Sequence, residues 1–89
     1  MNAIITVVGS DKVGLIAKVS EFLASHSVNI ADITQTILSG NFVMMMMVDL
    51  SKADVAVDEL RNDLTKKAEE MGVEINVMAE KVFSTMHRI

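Results

Sequence analysis

The residue types best suited to chemistry in this chain stand together in Gly9-Ser10-Asp11-Lys12-Val13-Gly14-Leu15. A β-branched run, Ile4-Ile5-Thr6-Val7-Val8, precedes them and a helical pattern follows. A strand that passes through a Gly-bracketed polar turn into a helix leaves the first helical N–H groups pointing out of the turn. Those donors and the helix dipole favour an anion such as a carboxylate. Asp11 beside them can take an ammonium, and a site with both suits a free amino acid. The same residues admit a plainer reading, in which Asp11 caps the helix and the glycines only make the turn. Asn29, further on, offers an amide that can donate and accept. It too has a plain alternative, since polar residues begin strands routinely.

Other chemistries find little support. The absence of cysteine removes disulfides, thiolate metal sites and cysteine nucleophiles. His26 sits at a helix end, where it favours the dipole, and His87 lies in the tail. Neither has a Ser or carboxylate at a spacing that suggests a catalytic set. The run Met44-Met45-Met46-Met47 is core or interface material rather than a soft-metal site. No metal or cofactor is expected. Gly9 and Gly14 lie at the wrong offsets for a phosphate loop, and no Gly-Lys-Ser/Thr follows. Lys66-Lys67 sits among acids and reads as solvated helix surface.

Eighty-nine residues make one small domain. Half the residues, 51%, are hydrophobic, more than a small monomer hides easily, which points to a homodimer or higher homo-oligomer. The net charge of −4 argues against nucleic acid as a direct partner, because backbone binding needs a basic face. Phe22, Phe42 and Phe83 are too few for a base-stacking sheet. No run approaches transmembrane length, and Met1–Val8 lacks the basic start of a signal peptide. No membrane association and a cytoplasmic location are the default expectations.

The elements that must position these residues follow from periodicity. Ala3–Val8 reads as a first strand, apolar on both faces apart from Thr6, and therefore central. Leu15, Ile16, Val19, Phe22 and Leu23 share one face of a helix over Val13–His26. Val28–Leu38 alternates Asp32, Thr34 and Thr36 with Ile33, Gln35 and Ile37, as an edge strand does. Ser39-Gly40-Asn41 turns it into a third strand, Phe42–Leu50, apolar on both faces and placed beside the first. Ser51, with Asp54 three residues on, is expected to open the second helix through a capping box. Val57, Leu60, Leu64, Ala68 and Met71 form its buried stripe, and Gly72 stops it. Val73–Glu80 is a fourth strand. Lys81–Ile89 carries Val82, Phe83, Met86 and Ile89 on one face of a short helix, too short to hold in water without docking on something. The order is βαββαβ in one domain over residues 1–80 with a docking helix over 81–89. Right-handed crossovers then put both helices on one face of a four-stranded antiparallel sheet, an α+β ferredoxin-like sandwich.

The turn Gly9–Leu15, followed by Ser27-Val28-Asn29-Ile30, resembles the ACT domain, a small ligand-binding module attached to many amino-acid metabolic enzymes and regulators. The resemblance runs from Ala3 to about Glu80. Ile33-Thr34-Gln35-Thr36-Ile37 and the closing Phe83…Met86-His87-Arg88-Ile89 resemble free-standing ACT proteins related to the glycine cleavage system transcriptional repressor. The resemblance implies an amino-acid site at a subunit interface, built from the first turn of one chain and the start of the second strand of its neighbour. The matching positions are Asp11, Val13, Gly14 and Leu15, then Asn29 and Ile30. Val13 stands where the family usually has Pro, which pre-sets the turn. Ser27 stands where the family usually has Gly, so a left-handed residue there is costlier. Acylphosphatase-like catalysis on the same fold would want an Arg in the first turn, where this chain has Lys12.

The function expected is therefore a regulatory module and not an enzyme. It would bind a small amino acid, act as an oligomer and pass the signal to a partner protein. The alternative is an oligomerisation or interaction protein that binds no metabolite.

Overall fold

The computed structural model describes residues 2–10 and 14–81. The elements are β1 (Asn2–Gly9), α1 (Leu15–Ser25), β2 (Asn29–Leu38), β3 (Asn41–Asp49), α2 (Val57–Met71) and β4 (Glu74–Ala79). The four strands form one antiparallel sheet in the order β2-β3-β1-β4. This is the βαββαβ ferredoxin-like arrangement, with the two doubly apolar strands, β1 and β3, inside and the half-polar β2 at an edge.

Strand alternation divides the sheet into two unlike faces. Ala3, Ile5 and Val7 of β1, Phe42, Met44, Met46 and Val48 of β3, and Ile75 and Val77 of β4 are all buried on one face. They form a single core with Leu15, Val19 and Leu23 of α1 and Leu60, Leu64 and Ala68 of α2. Both triplets recur every four residues, the step that keeps side chains on one helical stripe. Both helices thus cover the same face. Each fully buried Leu, Ile or Met contributes roughly 1.5–3 kcal/mol from burial. Ile4, Thr6 and Val8, with Val43, Met45 and Met47, point to the opposite face, which neither α1 nor α2 covers.

Two boundaries depart from the sequence expectation. Helix α1 begins at Leu15 because Gly14 takes a left-handed φ of 72° and serves as its N-cap. Helix α2 begins at Val57, six residues after Ser51. The Ser51 N–H is held by the Asp49 carboxylate at 2.9 Å, and Asp54 is drawn to His26 instead. The helix therefore starts from Ala56, with no side-chain cap. Its C-terminus is as expected, at Gly72 with φ 68°. Glu80 and Lys81 have helical backbone, and the docking helix expected through Val82, Phe83, Met86 and Ile89 lies outside the described residues.

Candidate functional site

The turn between β1 and α1 contributes the first group of predicted site residues. Asp11 and Val13 lie outside the described residues. Gly14 is exposed, and its carbonyl accepts the first helical bond, from the Lys18 N–H at 3.0 Å. The N–H groups of Leu15, Ile16 and Ala17 precede that bond, and the N-cap glycine has no side chain to satisfy them. They are donors at the positive end of the helix dipole. The Leu15 side chain is 3% exposed and sits in the core, so what it can offer a ligand is backbone. Its place at the start of the buried i, i+4 stripe explains this.

The second group lies at the start of β2. Helix α1 ends in a tight turn in which the Val28 N–H donates to the Leu23 carbonyl at 3.0 Å, with Ser27 left-handed at φ 58°. That is the Schellman arrangement. Asn29 follows, exposed. Ile30 is half-buried and packs on the core. A bulge between Ile30 and Asp32 resets the alternation, so that Asn29 shares a face with Asp32 and Thr34.

Asp49 pairs with Asn29 on one side and Asn2 on the other. Its carboxyl is held below the usual carboxylate range, chiefly by the Ser51 backbone N–H and then by the Ser51 side chain. Sequence reasoning does not single out this acid, because only strand register puts it beside Asn29.

A clamp lies behind the same turn. His26 Nδ1 donates to the Asp54 carboxylate at 2.9 Å, and the Asp54 N–H donates to the His26 carbonyl at 3.1 Å. The His26 ring meets Phe22 edge-on, with centroids 4.9 Å apart. No spacing signal could reveal a pair 28 residues apart. The neighbouring Ser25 hydroxyl is turned away, donating to the Phe22 carbonyl at 2.6 Å. A groove of about 450 Å³ runs between α1 and α2 over Phe22 and Met71, rimmed by Lys18, Glu21, Lys67 and Glu70. It shares no residue with the predicted site. Among the described residues no three His, Asp or Glu side chains gather as metal ligands, and no helix is long and apolar enough to cross a membrane.

Register decides how the two predicted groups relate. Asn29, Asp49 and Asn2 form a row at one end of the sheet. Gly9, Phe42 and Ile37 form a row at the other end, where β1 leads into the first turn. The strand between them spans roughly 23 Å at ~3.3 Å per residue. An α-amino acid carries its ammonium and carboxylate on one carbon. One chain therefore cannot close Gly14 and Asn29 around the same small ligand.

Known proteins share this architecture. The family model described as "ACT domain" matches residues 2–78. A UPF0237 protein of Methanopyrus kandleri is 49% identical over 88 residues, covering 99% of this chain and 98% of that protein. The structure of an ACT domain protein from Streptococcus pneumoniae is 41% identical, covers 93% of each chain and superposes with a TM-score of 0.84. A structure bearing the provisional name of glycine cleavage system transcriptional repressor superposes with a TM-score of 0.76. That match covers 85% of this chain and 44% of the other, and at 16% identity it speaks for the fold alone.

Proposed function

The chain belongs to the ACT domain family, whose members are regulatory amino-acid-binding modules, and from that premise we propose that it senses a small amino acid at the junction of two copies of itself. The observation that carries this reading is that β1 leads into the first turn at the Gly9 end of the sheet, whereas Asn29 stands at the opposite end, in the row of Asp49 and Asn2. A two-fold dimer that pairs β2 with the partner's β2 antiparallel resolves it. Such pairing sets the partner's β2 start beside this chain's Leu38, at the end where the first turn lies. β2 is suited to the role: it is an edge strand, and apart from half-buried Ile30 all of its residues are exposed. An unpaired strand edge is a template for a second strand.

In that junction the N–H groups at the start of α1 receive the carboxylate, Asp11 takes the ammonium, and the partner's Asn29 amide completes the set. The apolar residue types Val13 and Ile30 offer no partner to a charged side chain, which favours glycine, serine or a small aliphatic amino acid over lysine or glutamate. The ligand bridges two chains and so binds the assembled form better. By linkage it shifts assembly and the affinity for a partner protein. The chain acts in this reading as a regulatory module and not as a catalyst.

A thermal-shift series with free amino acids tests it. A ligand at 100 times its Kd adds about 2.7 kcal/mol of stability, so small amino acids should raise the melting temperature and lysine and glutamate should not. Flat melting temperatures across millimolar amino acids would favour the alternative, an assembly module without a metabolite. The burial of Leu15 and the half-burial of Ile30 are the features that speak for that alternative.

A further inference from the structure

The sheet face opposite α1 and α2 has an apolar centre of Ile4, Val8, Val43, Met45, Met47 and Met78. Met45 is 38% exposed there. The charged groups on this face are Asp32, Asp49 and Glu74, with Glu80 where the chain leaves β4. None of the four strands contains Lys, Arg or His. We propose that residues 82–89 of this chain lie across that face of their own sheet.

Three observations support this occupant. Composition is the first. Lys81–Ile89 holds Lys81, His87 and Arg88 and no acid, with Val82, Phe83, Met86 and Ile89 at helical spacing. An apolar-and-basic segment complements an apolar centre with an acidic margin. A second copy of the face would bring two acidic margins together, with no base in the strands to pair them. The exit of β4 is the second. The Asn2 side-chain amide donates to the Glu80 carboxylate at 3.0 Å, tying the exit to the neighbouring β1, and the helical turn begins there, at Glu80 and Lys81. Reach is the third. Eight helical residues extend about 12 Å at 1.5 Å each. The two strand gaps from β4 across β1 to β3 need about 9.6 Å. Met47 pairs with Ile4, only two residues along β1 from Asn2, so residue 86 then falls nearest Met47 and Asp49. The edge of β2 stays free, so this packing is independent of the ligand junction.

The chain has no cysteine, which makes cross-linking a clean test. In the full chain, Met47→Cys with Met86→Cys should form an intrachain disulfide on mild oxidation. At dilute concentration its yield should exceed at least fivefold that of Glu69→Cys with Met86→Cys, which targets the exposed side of α2. Circular dichroism checks that each variant folds, and Asp49→Cys with Met86→Cys replaces the first pair if that pair does not. Equal yields from the two targets would overturn the proposal. So would a disulfide-linked dimer formed by Met47→Cys alone, which would put a second copy on the face. A predominantly interchain product of the double variant would do the same, because it would assign the face to another chain's tail.

Discussion

Ser27 carries the strain of the turn that delivers Asn29 to the start of β2. Its φ of 58° is a conformation that costs a non-glycine residue roughly 1–2 kcal/mol. The turn nevertheless holds, because the Val28 N–H reaches Leu23 and Val28 itself is buried against the core. Glycine would relieve the strain but lose roughly 0.5–1 kcal/mol to the freedom of the unfolded chain. Ser27→Gly should therefore stabilise the protein by about 0.5–1 kcal/mol, seen as a rise of a few degrees in melting temperature. A lower melting temperature would show that the serine side chain contributes more than its backbone costs. The glycine usual at this position in the family makes the left-handed turn legible in the sequence. Leu15 is less simple, because the sequence assigns it twice. Helical spacing sets it with Val19 and Leu23 on the apolar face, and the family turn sets it among the ligand residues. The two assignments concern different atoms: the side chain is buried, and the backbone N–H stays at the open start of α1.

Helix α2 shows how tertiary partners override a local signal. Ser51 and Asp54 have the spacing of a capping box, yet each is engaged elsewhere, with Asp49 and with His26. The helix starts six residues later from Ala56, whose backbone is extended as an N-cap requires, and Glu59 stands three residues on. The position lacks only the side-chain oxygen. Ala56→Ser should supply it and complete a capping box with Glu59, adding about 1 kcal/mol. A urea-unfolding midpoint that does not move would show that the first turn of α2 is already satisfied by other groups. The strands are more legible than this helix start, for a physical reason. Apolar runs on both faces of β1 and β3 can be buried only inside a sheet, and the Asp32, Thr34, Thr36 alternation suits an edge. Such patterns depend on many residues together, whereas a cap depends on one or two side chains that a distant partner can capture. The His26–Asp54 clamp and the Asn29–Asp49 row are illegible for the same reason, since each joins positions that only the fold brings together.

The proposed site exists only between chains, and this gives it a signature that no single-chain site shares. In a two-fold dimer each site takes its turn from one chain and its Asn29 from the other. Asp11→Ala and Asn29→Ala should each weaken amino-acid binding by about 1–3 kcal/mol, through loss of one polar partner, while the fold is retained. When the two variants are mixed and allowed to exchange subunits, the mixed dimer gathers both lesions into one site. Its other site combines an intact turn with an intact Asn29. Random exchange makes about half the dimers mixed, so about one site in four should regain the parent affinity. Titration calorimetry on the mixture should resolve that tight fraction, absent from either variant alone. If Asp11 and Asn29 served the same ligand within one chain, mixing would restore nothing. If Asp11→Ala lowered the melting temperature without ligand and left affinity unchanged, Asp11 would be a helix cap, and the first turn would serve the fold rather than a ligand.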